Sequence, residues 1–273
     1  MRDRLRIDPG AGRGFAGVDP RSSPGAGARA AAERRMAKRQ DRLRELQDRL
    51  FAEGRRSLLV VLQGTDTSGK DGTVKHVIGA VNPQGVQVTG FKAPTPEELR
   101  HHFLWRIRRR LPEPGRIAIF NRSHYEDVLV VKVHGLAPPE VIERRYDEIN
   151  AFERKVVDAG TTIVKLCLRI SANEQGERLL DRLEDPEKRW KFNPGDLDDR
   201  DRWDEFEAAY ATAVERCSTA WAPWYVVPAD RKWYRNVAVT DILVETLVEV
   251  DPRYPDPKFE LDALRERVRK GPA

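Results

Sequence analysis

Short apolar runs alternate along the chain with longer segments that carry apolar residues at helical spacing. The clearest run is 57–63, where consecutive Leu and Val residues end shortly before a glycine. This pattern is typical of a strand that is buried on both faces of a parallel sheet. Similar runs predict further strands, at 85–89, 116–120, 161–168 and 224–227.

Segments with helical periodicity separate these runs. In the first of them Leu43, Leu46 and Leu50 fall on one face of a helix, and Gly54 is a suitable end. Comparable patterns predict helices at 28–52, 73–81, 96–111, 139–158, 172–183, 202–218 and 240–250. Because strands and helices alternate, we expect an α/β fold in which a parallel sheet carries helices on both faces.

The composition changes at both ends of this pattern. Residues 1–27 are rich in Gly, Pro, Arg, Ala and Ser without apolar periodicity, which predicts a flexible N-terminal arm. Residues 28–250 then form one α/β domain, and 251–273 are expected to be an exposed C-terminal extension. No internal repeat is visible.

Composition and charge narrow the class of protein. Hydrophobic residues make up 40% of the 273 residues, enough for a packed core, while the net charge is only +5. Attraction to anions must therefore come from local clusters of Lys and Arg. Two cysteines, Cys167 and Cys217, are too few for a disulfide framework or a zinc cluster. With no signal-peptide pattern and no membrane-length apolar run, we expect a cytoplasmic protein without membrane contacts.

The segment 64–72, with the sequence GTDTSGKDG, directly follows the first predicted strand. Its glycines and lysine have the spacing of a phosphate-binding P-loop, and the strand before it and helix after it are the required context. Glycines let successive amide groups point at one anion, and the lysine adds a full positive charge. A tight glycine turn is the alternative, although it would not need the lysine. We predict phosphate binding by Gly64, Thr67, Ser68, Gly69, Lys70 and Gly72.

Two aspartates set this loop apart. Asp71 stands after the lysine, where a Ser or Thr usually binds magnesium, and Asp66 lies inside the loop. A carboxylate among phosphates is costly unless a metal or a proton offsets the repulsion. Asp66 is therefore a candidate for holding magnesium or orienting an attacking phosphate. Stabilising a turn through its own side chain is the alternative role.

A second polar segment, 121–127 with the sequence NRSHYED, follows the predicted strand 116–120. In open α/β sheets ligands bind at the carboxyl ends of strands, so this segment should lie near the P-loop. Arg122 can bind phosphate oxygens through its forked guanidinium, or it can form a salt bridge that holds the loop. Glu126 and Asp127 can supply oxygen ligands to magnesium.

Together, the motif Gly-x-Asp-x-x-Gly-Lys-x-Gly and the segment 121–127 resemble the polyphosphate kinase 2 family. The similarity runs from about residue 34 to residue 249 and includes DPEKRWKF at 185–192 and APWYVVP at 222–228. It implies a thymidylate-kinase-like P-loop fold, dependence on Mg²⁺ or Mn²⁺, and a homo-oligomer. Asn121 stands where many relatives have Asp. In this respect the chain resembles the branches of the family that act on nucleoside monophosphates. The resemblance also implies that metal binding shifts toward Asp66 and Asp127.

The segment 178–202 combines basic residues with turn signals and could close as a lid over bound phosphates. A polyanion would need several cations along its length. A solvated helix with internal ion pairs is the alternative. The predicted polyphosphate-binding residues of this lid are Arg178, Arg182, Lys188, Arg189 and Lys191.

These features favour a magnesium-dependent enzyme that transfers phosphoryl groups between inorganic polyphosphate and nucleoside mono- and diphosphates. Its predicted catalytic residues are Asp66, Lys70, Arg122 and Asp127. One alternative is an ATP-dependent nucleotide or small-molecule kinase, and another is a non-catalytic P-loop protein that binds nucleic acid. The small net charge and the lack of a nucleic-acid-reading motif argue against the latter, so we expect no nucleic acid partner.

Overall fold

The structure, a computed structural model, describes residues 1–9 and 14–271. Its strands, in chain order, are β1 (Arg6–Ile7), β2 (Ser57–Gln63), β3 (Val86–Gly90), β4 (Ile117–Asn121), β5 (Thr161–Arg169) and β6 (Trp224–Pro228). Its helices are α1 (Arg2–Leu5), α2 (Arg29–Glu53), α3 (Lys70–His76), α4 (Trp105–Arg108), α5 (Val130–Val133), α6 (Pro139–Asp158), α7 (Ala172–Glu184), α8 (Gly195–Asp201), α9 (Trp203–Cys217), α10 (Lys232–Val250) and α11 (Leu261–Arg269). Short 3₁₀ turns lie at Phe15–Gly17, Ile78–Ala80, Pro83–Gly85, Glu98–Arg100, His124–Asp127 and Arg189–Lys191.

The strands form one sheet in the order β1-β6-β5-β2-β4-β3. Neighbouring strands are parallel except for β1, which pairs antiparallel with β6. Every residue of the central strand β2 is buried, as expected for a strand that helices cover on both faces. The predicted α/β architecture with a parallel sheet is confirmed.

Alternate residues of β2 contribute to two separate cores. Leu58, Val60 and Leu62 pack with α2 and α10 on one face of the sheet. Leu59 and Val61 pack with α6 and α9 on the other face. Burial of one such side chain stabilises the fold by about 1.5–3 kcal/mol. Packing on both faces therefore fixes the position of β2, and with it the start of the loop that follows at residue 64.

The segment predicted as a flexible arm is docked in its described residues, which differs from the expectation. β1 adds an antiparallel edge strand to the sheet, and the side chains of Leu5 and Phe15 are buried. Arg169 donates hydrogen bonds to the main-chain carbonyls of Phe15, Ala16 and Val18. These scattered apolar residues form no periodic pattern in the sequence, yet they anchor the segment. Residues 10–13 of the predicted arm lie outside the described residues.

Two helices also differ from the predictions. At 96–111 the structure has only a 3₁₀ turn and the single-turn helix α4, because the buried residues Leu104 and Ile107 span one turn. In contrast, α10 begins two turns before its predicted start at residue 240. Tyr234 and Val237 extend its buried face toward β6.

The C-terminal segment, unlike the domain before it, is exposed to solvent. α11 lies in the predicted extension 251–273 and has no buried side chain. Residues 272 and 273 lie outside the described residues. Within the part of the chain that the structure describes, no helix is long and apolar enough to cross a membrane.

Candidate active site

The loop between β2 and α3 has the backbone that a phosphate loop requires. Gly64 and Gly69 have positive φ angles of 150° and 101°, a conformation that side chains disfavour. A Cβ on Gly64 would lie 2.6 Å from both the Leu168 carbonyl oxygen and the Ser68 hydroxyl oxygen. Gly64 is therefore required for space as well as for conformation, because β5 and the loop itself approach it closely.

Lys70 begins α3 and reaches back across the loop. Its Nζ donates hydrogen bonds to the carbonyl oxygens of Gly64 at 2.7 Å and Thr65 at 3.1 Å, and burial lowers the pKa of Lys70. Among the described residues, the buried hydroxyls of Thr67 and Ser68 have no hydrogen-bond partner. A buried polar group without a partner costs stability, which fits a loop whose polar groups serve a ligand.

Arg122 follows β4 and contacts the same loop. Its Nη2 donates a hydrogen bond to Asp66 Oδ1 at 2.7 Å, and its Nη1 lies 3.8 Å from Glu126 Oε2. The φ angle of Arg122 is +62°, a strained value that is often found at functional sites. Burial opposes the charge of Arg122, but Glu126 and Asp66 outweigh this effect and raise its pKa above the ordinary value. A permanent cation thus lies between two carboxylates beside the loop.

The 3₁₀ turn after Ser123 sends its two acidic side chains in different directions. Glu126 accepts a hydrogen bond from Gln63 Nε2 at 3.0 Å, and burial raises the pKa of Glu126. Asp127 instead lies 3.3 Å from Arg145 Nη1 on α6, and burial raises the pKa of Asp127 too. Because a 3₁₀ helix has about three residues per turn, neighbouring side chains diverge. The sequence predicts that Asp127 lies near the phosphate loop, but the structure places it against Arg145 instead.

Asp71, which replaces the usual Ser or Thr of a P-loop, contacts Asn121, which replaces the Asp of many relatives. Asn121 Nδ2, at the end of β4, donates a hydrogen bond to Asp71 Oδ1 at 2.7 Å. An aspartate in place of Asn121 would bring two carboxylates within hydrogen-bond distance, and they would repel each other. The amide at 121 and the carboxylate at 71 are therefore suited to one another.

Magnesium, which the sequence predicts, would need oxygen ligands near the phosphates. In the described ranges 1–9 and 14–271, no group of three or more His, Cys, Asp and Glu side chains is arranged to hold a metal ion. Asp66 and Glu126, however, line the same cavity on either side of Arg122. Mg²⁺ often takes one or two carboxylates and completes its shell with water and phosphate oxygens, so this pair suits the ion. Asp127, predicted as a third ligand, lines no cavity with them.

Arg178 lies on α7 and is only 8% exposed. Its guanidinium donates hydrogen bonds to Glu174 Oε1 at 2.7 Å and to the carbonyl oxygens of Thr67, Ala229 and Asp230 at 2.8, 2.7 and 2.9 Å. It thereby ties α7 to the phosphate loop and to the segment before α10. Main-chain acceptors therefore already occupy most of its donors. Arg178 also lines the same cleft as Arg182 and Lys188, so its predicted polyphosphate contact stays a prediction.

The remaining basic residues of the predicted lid are more accessible. Arg182, Lys188 and Lys191 line a cleft over the phosphate loop. Arg182 Nη1 lies 3.3 Å from Asp196 Oδ2, a partner that an anion could replace. Arg189 donates a hydrogen bond to a main-chain carbonyl at the end of α7 and does not line the cleft.

The cleft has a volume of about 1080 Å³ and runs from the phosphate loop to the lid and the start of α10. Lys and Arg outnumber Asp and Glu along its walls. A second, narrower cavity adjoins it and is lined by Glu126, Trp203 and Phe206 among others. Asp66 and Arg122 line both cavities, so this pair lies where the contents of the two would meet.

Comparison with known proteins agrees with this geometry. The profile of the family described as Polyphosphate kinase 2 matches residues 27–255. The chain belongs to the polyphosphate kinase 2 family. The sequence resemblance to that family is therefore confirmed.

Two curated proteins are similar to this chain over most of their length. The AMP/ADP-polyphosphate phosphotransferase of Meiothermus ruber is 51% identical over 232 residues, which cover 85% of this chain and 87% of the relative. The ADP-polyphosphate phosphotransferase of Rhodopseudomonas palustris is 39% identical over 250 residues, with 84% and 85% covered.

A crystal structure of polyphosphate kinase 2 from Arthrobacter aurescens TC1 has the same fold. It superposes with a TM-score of 0.95 at 48% identity and covers 98% of this chain and 96% of the solved one. The chain thus has the P-loop kinase fold that the sequence predicts.

Among the side chains that line the two cavities of this polyphosphate kinase 2 family member, the sequence patterns assign no site role to Arg235, Asp196 or Trp203. Arg235 was missed because the helix was predicted to start at residue 240. The helical spacing of Tyr234 and Val237 is the signal that could have placed it, since it sets Arg235 just beyond the carboxyl end of β6.

Proposed function

We propose that this chain transfers phosphoryl groups between inorganic polyphosphate and nucleoside mono- and diphosphates. With polyphosphate as donor it would convert AMP into ADP and ADP into ATP. The observation that carries the proposal is the cationic cleft over the phosphate loop. Its volume of about 1080 Å³ is slightly above the usual range for small-molecule sites, about 300–1,000 Å³. A chain of phosphates needs positive charge along its length, and this cleft offers it. The names of the curated relatives support the same assignment.

The reaction needs little covalent help from the protein. An ionised oxygen on the terminal phosphate of the acceptor attacks the end phosphorus of polyphosphate. The bond from that phosphorus to the bridging oxygen breaks, and the shortened polyphosphate leaves with the electron pair. Because the attacking oxygen is already ionised near neutral pH, no strong general base is required. Positioning and charge neutralisation then provide the catalysis.

Lys70 and Arg122 are the cations that we assign to this work. Lys70 Nζ donates hydrogen bonds to two loop carbonyl oxygens at 2.7 and 3.1 Å, and it would exchange these acceptors for phosphate oxygens. Arg122 contacts both cavities, so it can bind oxygens of the transferred group as charge develops. The carboxylates of Asp66 and Glu126 hold Arg122 in that position.

We also assign Asp66 and Glu126 as the residues that would hold magnesium. The ion, when bound, would neutralise phosphate charge and help align the donor and acceptor oxygens. Asp66 lies on the phosphate loop itself, so it is suited to link the metal to the transferred group.

A donor comparison tests the proposal. The purified chain is incubated with AMP, Mg²⁺ and either polyphosphate or ATP, and the initial rate of ADP formation is measured in each mixture. We expect efficient ADP formation with polyphosphate. Efficient ADP formation with ATP alone would contradict the proposal and favour an ordinary nucleotide kinase. Repeating the assay with ADP as acceptor measures the preference between mono- and diphosphates.

A further inference from the structure

Arg235 lies in the first turn of α10 and packs its guanidinium against the phosphate loop. Its side chain is buried, with 3% of the residue exposed. A Cβ on Gly69 would lie 1.7 Å from Arg235 Nη1, and a Cβ on Gly72 would lie 2.9 Å from Nη2. The glycines at 69 and 72 therefore leave the room that this guanidinium occupies, and Arg235 touches the loop that binds phosphate.

The charge of Arg235 lacks a partner of opposite sign. Nε and Nη2 donate hydrogen bonds to the neutral amide oxygen of Asn236 at 3.1 and 2.8 Å. Among the residues that the structure describes, Nη1 has no hydrogen-bond acceptor and no carboxylate forms an ion pair with Arg235. Burial, followed by the nearby charge of Arg178, lowers the pKa of Arg235 to about 10.

Such a cation is expensive for the fold on its own. A buried charge without a counter-charge destabilises a protein. An apolar side chain of similar size usually fills the same space at a lower cost in stability. Packing against the two glycines therefore does not explain why the residue is charged. Arg122 and Arg182, by contrast, each have a carboxylate partner.

We propose that Arg235 binds a phosphate of the polyphosphate donor through Nη1 as the donor crosses the phosphate loop beside Gly69. The inference rests on the proposed function and names a donor contact that it does not include. The ligand chemistry is an anionic phosphate oxygen, which both polyphosphate and nucleotides carry. Arg235 lines the large cleft, whose length and surplus of Lys and Arg suit a chain of phosphates, and on this ground we assign it to the donor.

The test compares binding of donor and acceptor to variants at this position. Inorganic tripolyphosphate and AMP are titrated separately, in Mg²⁺ buffer, into the wild-type chain, Arg235→Met and Arg235→Gln by calorimetry. Arg231→Met is the matched control, because Arg231 precedes the same helix, is exposed, and donates a side-chain hydrogen bond to Ser23. The melting temperature of each protein is measured without ligand and with tripolyphosphate.

Both neutral variants should bind tripolyphosphate at least about tenfold more weakly, which is the usual effect of losing a charge-assisted hydrogen bond. Affinity for AMP should stay within about twofold, and Arg231→Met should match the wild type for both ligands. Without ligand, Arg235→Met should melt at or above the wild-type temperature, since it removes an uncompensated buried charge. A residue with only a structural role would not show this combination.

Three results would overturn the inference. The first is unchanged tripolyphosphate affinity in both neutral variants while the wild type remains active. The second is an equal loss of affinity for tripolyphosphate and AMP with a lowered melting temperature. The third is failure of both neutral variants to fold, which would make Arg235 a structural residue. A wild-type chain that binds no tripolyphosphate would instead contradict the proposed function itself.

Discussion

The two sides of the phosphate loop hold arginines in opposite ways. The carboxylate wall, formed by Asp66, Arg122 and Glu126, keeps its arginine between acidic side chains. The arginine wall, formed by Arg178 and Arg235, contacts the loop without a carboxylate partner on the loop, and Arg178 pairs instead with Glu174 on its own helix. Arg178 is fixed by main-chain carbonyls, and Arg235 has only the neutral amide of Asn236.

The difference shows what decides whether an arginine can bind a ligand. The side chain of Arg122 is 37% exposed, and its carboxylate partners can turn to a metal while the guanidinium turns to phosphate. Arg178 cannot release its carbonyls without leaving buried acceptors unsatisfied. The sequence alone makes these two residues look alike, whereas their different acceptors support the proposed role of Arg122 in the reaction and a structural role for Arg178.

The largest effect should come from the lysine between the two walls. We expect Lys70→Met to lower kcat by roughly 10³-fold or more, because the loop loses its full charge at the transferred group. Stability should change little, since burial already opposes the lysine charge in the folded chain. Steady-state rates with polyphosphate and AMP, together with a melting curve, check both parts. A fully active Lys70→Met protein would remove Lys70 from the mechanism.

The proposed magnesium site includes Asp66 but not Asp127, so substitutions at these two positions should affect the Mg²⁺ requirement differently. We expect Asp66→Asn to lower kcat by roughly 100-fold and to raise the half-saturating Mg²⁺ concentration about tenfold, because one of two carboxylate ligands is lost. Asp127→Asn is the matched variant, and its Mg²⁺ requirement should stay close to that of the wild type, since Asp127 pairs with Arg145. Rates over a range of Mg²⁺ concentrations measure both. The reverse ranking would restore Asp127 as the metal ligand.

Stability should distinguish the two walls directly. We expect Arg178→Met to lower the free energy of unfolding by about 3 kcal/mol, because it leaves buried carbonyl oxygens without donors. Arg122→Met should change it by less than about 1 kcal/mol, as its ion pairs are partly exposed, yet it should lose far more activity. Urea unfolding followed by fluorescence, with rates measured in parallel, gives both quantities. Equal losses of stability would erase the distinction between the walls.

The smallest effect concerns pH. Burial, together with the nearby Asp66, raises the pKa of Asp196 to about 6. Arg182 and Arg122 act in the opposite direction, and Asp199 adds to the rise. Below pH 6 the carboxyl group is neutral, and above it a negative charge appears in the cleft. Because the folded chain holds the proton of Asp196 more tightly than the unfolded chain, the contribution of Asp196 to the free energy of unfolding is present at low pH. It is lost as the pH rises through about 6.

Tripolyphosphate affinity of the wild type should therefore fall more steeply between pH 5 and 7.5 than that of Asp196→Asn. The difference should reach about two- to fivefold, as expected for one charge near the surface. Comparing the two proteins cancels the ionisation of the phosphate itself. Parallel pH profiles would show that Asp196 does not face the donor.

Local patterns predicted what depends on local sequence. The uninterrupted apolar run of β2 and the glycine spacing after it were sufficient to predict a buried strand and a phosphate loop, because both features are set within a few residues. The positions of Asn121 and Arg122 beside that loop followed from the parallel sheet. These parts of the fold needed no knowledge of distant contacts.

Long-range contacts explain the rest. Arg178 and Arg182 share a helix face, but only the folded chain shows that Arg178 meets the carbonyls of Thr67 and Ala229. The docking of the N-terminal segment depends on Arg169, which is more than 150 residues away in sequence. Arg235 reaches the loop because α10 begins earlier than its apolar pattern indicated. No local pattern encodes which acceptor a guanidinium will find.

The most direct test of the central claim follows phosphorus itself. Polyphosphate, AMP, Mg²⁺ and the wild-type chain are mixed in one tube, and ³¹P NMR records polyphosphate and nucleotide signals over time. We predict that the β-phosphate signal of ADP grows as the polyphosphate chain shortens, and that Lys70→Met abolishes both changes. Release of orthophosphate without ADP, or ADP formation only after ATP is added, would contradict the account.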